Sequence, residues 1–203
     1  MVLDSARLDR FPLRLSALAL AAVLLPRPAE AQEAPDLYAR VEARIAAQPD
    51  AAAKLGRAAP EMAAAADMAG TWNVEAVVTG SGRPAEHGTS VVTELYGGVW
   101  LEIRDTYAAG TQDVGYIGFS PMTGLWSSVS IDSLGNANIV TSSGWEGNRI
   151  VFEGDLLILG VKAHLRQTIV RLGADEYRLD NEELLATGWK HLDSYRYTRK
   201  PKP

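Results

Sequence analysis

The chain of 203 residues contains no cysteine. No disulfide can therefore stabilise the fold, and zinc sites with thiolate ligands and cysteine nucleophiles are excluded. Histidine is scarce as well: His87, His164 and His191 lie too far apart to form the His-x-His or His-x₃-His pairs of many metal sites. We therefore predict neither a metal site nor a bound cofactor.

Motifs for acyl transfer and nucleotide binding are also missing. The nearest approach to a Gly-x-Ser-x-Gly nucleophile elbow, residues 118–122, lacks the final glycine, and its Pro121 suits a turn. The glycine-rich stretch 80–85 joins two predicted strands and opens no helix, which indicates a hairpin rather than a dinucleotide loop. There is no Walker phosphate loop. These absences favour a non-catalytic protein but leave an enzyme open.

The charge of the chain is mildly acidic, with a formal net value of −5 at pH 7, and there is no basic run. Nucleic acid and anionic membranes are therefore disfavoured as partners. The length suits one domain with a substantial core. The oligomeric state is left open.

The N-terminus has the pattern of an export signal over residues 1–31. Arg7, Arg10 and Arg14 precede the apolar stretch 15–25, which is too short to cross about 30 Å of hydrocarbon. Ala29-Glu30-Ala31 then supplies a small-x-small cleavage pattern, so the mature chain is expected to begin at Gln32. Since no cysteine is present for a lipid anchor, we predict a periplasmic or secreted protein without a membrane anchor.

Residues 32–68 are predicted to form a helical N-terminal segment. Leu37, Val41 and Ile45 fall on one face of a helix that starts near Asp36, and Pro49 ends it. A second short helix is expected from Pro60 to Met68, leading into Gly70. The segment is either a plug packed against one end of the following domain or a loosely docked arm.

Residues 69–200 change to the period of two that is typical of strands. About ten strands with short turns and no intervening helix predict an all-β, antiparallel up-and-down β-barrel of eight to ten strands, preceded by short helices. The strand candidates are 71–79, 89–96, 99–107, 113–119, 125–133, 137–145, 149–156, 161–172, 176–185 and 189–198. Trp72 in the first strand is expected to plug one end of the lumen, with Arg199 or Arg196 stacked across its indole.

Several short motifs resemble a known family. They are the stretches 70–74 (GTWNV), 97–101 (GGVWL), 115–116 (GY), 123–124 (TG), 131–135 (IDSLG) and 197–200 (YTRK). As a set they resemble the bacterial domain-of-unknown-function family 1579 over roughly residues 61–200. The resemblance implies a lipocalin-like barrel of the calycin type and no established activity. Ser130 stands where the family often has an aromatic residue, so the contents of the lumen are expected to differ.

The candidate site lies in the predicted lumen. Asp132 shares a strand face with Trp126, and either that face or the opposite one lines the lumen. If Asp132 points inward, it needs a cationic or hydrogen-bonding partner, and a pairing with Arg166 or Arg104 is expected; if not, it caps the turn that follows it. The predicted ligand-binding residues are Asp132, Arg166, Trp126, Trp100 and Arg104. His164 shares a face with Lys162 and Arg166, which indicates a solvated stripe rather than a haem ligand or a base.

Three functions remain open at this point. The leading interpretation is an exported, non-catalytic barrel that holds a small, largely apolar molecule. The first alternative is a lumen enzyme of isomerase or lyase type, with Asp132 as the acid–base group and Arg166 stabilising an anion. The second is a structural envelope protein with a packed lumen. A cavity would favour the first two, and a strongly raised carboxyl pKa inside it would favour the enzyme.

Overall fold

The computed structural model describes residues 36–201. The predicted export signal and the start of the predicted helical segment lie outside the described residues. Residues 37–201 belong to one compact unit. Within the described part of the chain, no helix is both long and apolar enough to cross a membrane.

Among residues 36–201, four short helices precede the strands. They are α1 (Leu37–Ala46), α2 (Pro49–Ala52) and two 3-10 helices at Pro60–Ala64 and Ala66–Met68. Helix α1 buries no residue, and its apolar side chains Leu37, Val41 and Ile45 stay 60%, 45% and 39% exposed. The two 3-10 helices instead bury Met62 and Met68 in the core, so this part of the segment closes one end of the sheet.

The remaining chain forms eleven strands among the described residues: β1 (Gly70–Val78), β2 (Glu86–Leu95), β3 (Trp100–Tyr107), β4 (Gln112–Ser120), β5 (Leu125–Asp132), β6 (Ala137–Ser142), β7 (Trp145–Glu146), β8 (Arg149–Ile158), β9 (Val161–Gly173), β10 (Glu176–Leu185) and β11 (Gly188–Arg199). Sequential strands pair antiparallel from β1 to β6 and from β8 to β11. The pairings β1–β11 and β6–β8 close the ring. The result is a closed, ten-stranded up-and-down barrel, with the two-residue β7 as an appendix of β8.

One predicted strand is interrupted. The sequence predicts a single strand over 137–145, but β6 ends at Ser142 and β7 begins at Trp145. Gly144 between them has φ 128°, a conformation that other residues rarely adopt, and the Ser142 hydroxyl accepts a hydrogen bond from its amide. A Cβ on Gly144 would lie 3.5 Å from Nε1 of Trp126, so the chain bends where it passes this indole.

The hydrophobic core fills one end of the barrel. Trp72 is 2% exposed and packs edge-on against Tyr177, with ring centres 4.8 Å apart. The guanidinium carbon of Arg199 lies 4.0 Å from the centre of the Trp72 ring, as the sequence predicts. The same guanidinium donates to the carbonyl oxygens of Ala69 and Asp67, so it ties the last strand to the segment that enters the first one.

Candidate functional site

The lumen holds a cavity of about 310 Å³. It is lined by side chains and backbone from β3, β4, β5, β6, β8, β9, β10 and β11. Apolar groups such as Ile103, Leu165 and Leu179 form part of the wall, but four aspartates also line it: Asp105, Asp113, Asp132 and Asp193. No lysine, arginine or histidine is among the lining residues. The cavity is therefore acidic and has no internal cation.

Strand register sets three of these aspartates in one row. Asp105 on β3 pairs with Asp113 on β4, and Asp113 pairs with Asp132 on β5. Residues directly opposite each other point to the same face of a sheet, with Cβ atoms about 5 Å apart, and like charges in such pairs are destabilising. Neither packing nor strand propensity favours three aspartates in a row. We therefore treat this row as a candidate functional feature.

Asp105 is the most deeply buried member of the row, at 7% exposure. Its Oδ2 accepts hydrogen bonds from the hydroxyls of Tyr197 at 3.1 Å and Tyr107 at 3.4 Å. Its Oδ1 is also buried, yet it accepts no hydrogen bond of acceptable geometry from a described residue. Burial raises the pKa of Asp105, and the hydroxyls of Ser90, Tyr197 and Tyr107 counter this only in part.

No residue among 36–201 donates a hydrogen bond that favours the charged form of Asp113. Burial is the largest cause that raises its pKa, followed by repulsion from Asp105, Asp132 and Glu86, and together they bring it to about 6. Glu86 has a buried Oε1 without a partner among the described residues. Near pH 6, Asp113 is therefore balanced between its neutral and charged forms.

A chain of hydrogen bonds crosses the lumen beside the aspartates. The hydroxyl of Ser128 donates to Gln167 at 3.3 Å, the Gln167 amide to Asn181 at 3.3 Å, and the Asn181 amide to Oδ1 of Asp193 at 2.7 Å. Every donor in this chain points the same way, toward a carboxylate. Burial raises the pKa of Asp193, and the hydrogen bond from Asn181 opposes that effect. Asp193 is thus supplied with a partner, unlike Asp105 Oδ1.

Tyrosine rings form another part of the wall. Tyr107, Tyr195 and Tyr197 line the cavity, and the rings of Tyr107 and Tyr195 are 6.4 Å apart between centres. Burial raises the pKa of all three hydroxyls, so they stay neutral and act as hydrogen-bond donors and apolar surfaces. The cavity therefore combines carboxylates with aromatic and aliphatic surface.

Of the five predicted site residues, only Asp132 lines this cavity. Its face, shared with Trp126, is the one that points into the lumen. Its Oδ1 accepts from the amides of Leu134 and Asn136 at 2.9 and 3.0 Å, and its Oδ2 from the Asn136 side chain at 2.6 Å. Burial alone would raise its pKa, but these hydrogen bonds lower it. Asp132 therefore makes the contacts expected of a residue that caps the turn after β5, which is the alternative role that the sequence left open.

The two tryptophans lie elsewhere. Trp126 points inward at the packed end, is 3% exposed and lies 5.7 Å from Phe119 between ring centres. Trp100 lies on the outer wall against Gly118, where a Cβ would come within 2.5 Å of the indole. Neither lines the acidic cavity, and their role in ligand binding stays a prediction.

Both arginines lie outside the lumen, so the expected pairing with Asp132 is wrong. Arg104 is bound to Glu102, its neighbour along the outer face of β3, at 2.7 Å. Arg166 is bound to Glu182 at 2.7 Å and lies 4.3 Å from the centre of the Trp189 ring. The physical reason is strand parity: Arg104 alternates with the inward Ile103 and Asp105, and Arg166 with the inward Leu165 and Gln167.

Sequence reasoning missed Asp105, Asp113 and Asp193. The signal for Asp105 was present, because it follows Leu101 and Ile103 at intervals of two and precedes Tyr107. That apolar alternation marks the inner face of β3, and Asp105 is its polar exception. Asp113 then follows from pairing β3 with β4. Asp193 had a similar signal, because it precedes Tyr195 and Tyr197 at intervals of two on the inner face of β11. The register shift between Asn181 and Glu182 interrupts that alternation on the other side of Asp193.

A second depression, of about 750 Å³, lies on the outer wall of β8 to β11. Its charged side chains are already paired, as in Arg166 with Glu182 and Arg178 with Asp180. Ser194 lies there next to His191, but its hydroxyl donates to Asp180 at 2.6 Å. That proton is therefore not directed at His191, and the arrangement lacks the order of a nucleophile–base pair.

Comparison with known proteins supports the fold alone. No family model matches the chain, and no curated protein matches it. The crystal structure of Rv2717c from M. tuberculosis is similar, with 17% identity, a TM-score of 0.54, and coverage of 71% of this chain and 99% of that one. A de novo designed fluorescence-activating β-barrel (16% identity, TM-score 0.36, 65% and 93% coverage) and a redesigned β-barrel (13%, 0.32, 68% and 96%) also match, but too loosely to carry an argument. The similarity to Rv2717c shows a shared β-barrel fold.

Proposed function

We propose that this protein is an exported barrel that binds one small organic molecule in its lumen. The observation that carries the proposal is the 310 Å³ cavity, whose lining includes the buried Oδ1 of Asp105, without a well-formed hydrogen bond from a described residue, beside an apolar wall. Its volume falls at the lower end of the range of small-molecule pockets. A structural envelope protein would be expected to fill its lumen at both ends, as this one does at the Trp72 end only.

Gly115 offers a way to test the site without changing its charge. It lines the cavity on β4 and faces Ile103, whose Cβ would lie 3.6 Å from an added Cβ, an ordinary contact distance. Gly115→Leu is therefore expected to fill part of the cavity with limited strain. Gly173→Leu is the matched control, because Gly173 is exposed and has no atom within 4 Å of an added Cβ.

The experiment is native mass spectrometry of protein purified gently from the periplasm. The wild type and Gly173→Leu are expected to carry the same small-molecule adduct, and Gly115→Leu to lose it while keeping its thermal unfolding transition. An adduct that persists in folded Gly115→Leu contradicts a lumen site. Absence of any adduct, together with no hit in a ligand screen by thermal shift, contradicts the binding function.

Export and family membership form part of the same proposal. The pattern of residues 1–31 supports cleavage before Gln32 and release into the periplasm or the medium. The motif set supports membership of the domain-of-unknown-function family 1579. N-terminal sequencing of protein from the periplasmic fraction tests export: a mature chain that starts at Gln32 agrees with it, and an intact Met1 in the cytoplasm contradicts it.

Acid–base catalysis in the same cavity is a second candidate function. One observation favours it, namely the pKa of about 6 for Asp113, directly across from Asp105. Two neighbouring carboxyls with raised pKa values are suited to share a proton and to transfer it to a bound molecule. If the co-purifying molecule is turned over, Asp113→Asn is expected to abolish turnover while binding persists. A ligand recovered unchanged after long incubation supports binding alone.

A further inference from the structure

We propose that the molecule bound in the lumen is an organic cation, a protonated amine that hydrogen-bonds to Asp105 and Asp113 and places its apolar body against the tyrosine and leucine wall. This inference rests on the proposed lumen site and names the class of its ligand.

The first argument is the balance of charge. Asp132 and Asp193 already receive short hydrogen bonds, from Asn136 at 2.6 Å and from Asn181 at 2.7 Å. Asp105 receives hydrogen bonds only from neutral hydroxyls, and Asp113 receives none from the described residues. No basic side chain lines the cavity. Burying carboxylates without a cation is costly, so a site of this composition favours a positively charged occupant.

The second argument is the unpartnered oxygen. Asp105 is 7% exposed and lines the cavity, and its buried Oδ1 accepts no hydrogen bond of acceptable geometry from a described residue. The hydroxyl of Ser90, which pairs with Asp105 across β2 and β3, interacts with this carboxyl but does not satisfy that oxygen. An ammonium group has three N–H donors and no acceptor, so it can supply this oxygen and the Asp113 carboxylate opposite at once. A neutral alcohol has one donor and cannot serve both.

The third argument concerns what kind of cation fits. Among residues 36–201, no group of three or more His, Cys, Asp or Glu side chains converges as metal ligands would. The wall instead offers the rings of Tyr107 and Tyr195, with Leu165 and Leu179. Tyrosine faces attract ammonium groups, and aliphatic side chains take up a hydrocarbon body. These surfaces point to an amine with one compact apolar part rather than a bare metal ion.

Protonation supports the same inference. A bound cation stabilises the charged form of a neighbouring carboxyl, so it would lower the raised pKa values of Asp105 and Asp113. Binding of an amine near pH 6 is therefore expected to release protons. The carboxyl groups that face Asp113 are those of Asp105, Asp132 and Glu86, and their repulsion strengthens this coupling. The hydroxyls of Tyr107 and Tyr195 also face it, but they stay neutral in this pH range.

The test uses pairs of isosteric probes and isothermal titration calorimetry on the full mature protein. Each pair consists of an amine and the matching alcohol, from butylamine and butanol to 2-phenylethylamine and 2-phenylethanol. At least one amine is expected to bind ten-fold or more tightly than its alcohol, with proton release at pH 6 measured in two buffers of different ionisation enthalpy. If no amine exceeds its alcohol, the inference is overturned.

Variants separate charge from shape. Asp105→Asn and Asp113→Asn keep the side-chain size and are each expected to reduce amine affinity at least ten-fold while leaving alcohol affinity unchanged. Glu75→Gln, on the exposed outer face of β1, removes the same charge and is expected to change neither. Should Asp105→Asn fail to fold, Asp113→Asn decides the result. If amine affinity falls equally in all three variants, the net charge of the protein explains the loss, and the inference is contradicted.

Two further outcomes keep this inference distinct from the lumen function. If the native adduct disappears in Gly115→Leu but is a neutral or anionic molecule, the binding function stands and the cation assignment fails. If Ca²⁺ or Mg²⁺ alone displaces the amine stoichiometrically, the site is a metal site and the assignment also fails. Loss of both the adduct and all probe binding in the wild type overturns both proposals.

Discussion

Asp113 lies directly opposite Asp105 on the neighbouring strand, and both side chains point into the barrel. Two carboxylates that lie directly opposite each other repel when both are charged, and Asp132 on the next strand extends the row. The packed end of the barrel can supply the stability that such an arrangement removes, since Trp72, Phe152, Leu101 and Ile150 are almost fully buried there. The barrel thus separates a stabilising half from a half in which polar groups remain available.

Asp113→Asn is expected to stabilise the protein at neutral pH. Its pKa is about 6 in the folded state against an ordinary 3.8, so the folded protein binds the proton more tightly. The charged Asp113 carboxylate destabilises the folded protein by its full amount above pH 6, and this effect vanishes as the pH falls below about 4. Because Asp113 is partly exposed, we expect a gain of only about 1 kcal/mol at pH 7.5 after allowing for solvent screening.

Urea unfolding of the wild type and Asp113→Asn between pH 4 and pH 8 measures this difference. Glu75→Gln serves as the control, because Glu75 is exposed on the outer face, and its substitution is expected to give no pH-dependent gain. A variant that is less stable than the wild type at pH 7.5 would mean that the Asp113 carboxylate is stabilised by contacts in the fold.

Arg199→Lys is expected to destabilise the barrel by about 1–3 kcal/mol. The guanidinium lies over Trp72 at 4.0 Å and donates to Ala69, Asp67 and Asp175 at once, and an ammonium cannot reproduce that planar set of bonds. Arg196→Lys is the matched control on the same strand. Its side chain is 61% exposed and makes only a surface ion pair with Glu176, so a change below about 0.5 kcal/mol is expected.

Chemical unfolding followed by tryptophan fluorescence distinguishes these two arginines. If Arg199→Lys and Arg196→Lys lower the free energy of unfolding by nearly equal amounts, the Trp72–Arg199 contact contributes no more than an ordinary surface interaction. Trp72→Ala, which removes the indole itself, sets the upper scale at about 3–5 kcal/mol, as for other large core residues.

His164→Gln is expected to lower stability in acid only. The carboxylates of Glu153 and Asp155, at 2.9 and 2.7 Å from its ring nitrogens, raise the pKa of His164 above the ordinary 6.5. The stabilisation is therefore full below pH 6.5 and is lost as the pH rises through the higher folded value. Melting temperatures of the wild type and His164→Gln at pH 5.5 and pH 9 measure this stabilisation. The variant is expected to melt at a lower temperature than the wild type at pH 5.5 only. A deficit of equal size at both would indicate lost packing against Trp189.

The sequence anticipates the barrel better than the site because of what each depends on. Strand bounds follow from alternation and turn residues, and nine of the predicted strands match β1–β5 and β8–β11 to within a few residues. The break at Gly144 depends on the Trp126 indole beside it, which no local pattern reports. A site depends on which face of each strand points inward. The sequence-based prediction places Trp100 and Arg104 on the inner face of β3, but Ile103 and Asp105 lie on that face. The arginines that were expected to supply positive charge in the lumen therefore lie on the outside of the barrel.

Asp132 is the residue for which the structural and functional interpretations differ most sharply. Asp132→Asn keeps the Oδ1 acceptor for the amides of Leu134 and Asn136 but replaces Oδ2, which accepts from the Asn136 side chain at 2.6 Å, with a donor. We therefore expect a loss of about 1 kcal/mol that is confined to the β5–β6 turn. Amine affinity is expected to fall less than in Asp105→Asn, because Asp132 already has its partners.

A double-mutant cycle isolates this contact. Asp132→Asn and Asn136→Ala are expected to couple by about 1 kcal/mol in urea unfolding, since each removes the same hydrogen bond. Asn136 also accepts from the Leu159 amide at 2.8 Å, so Asn136→Ala alone is expected to cost more than Asp132→Asn alone. Without coupling, the hydrogen bond from the Asn136 side chain to Asp132 contributes nothing measurable to stability. If Asp132→Asn also abolished amine binding without loss of stability, Asp132 would join Asp105 and Asp113 as a ligand-binding group.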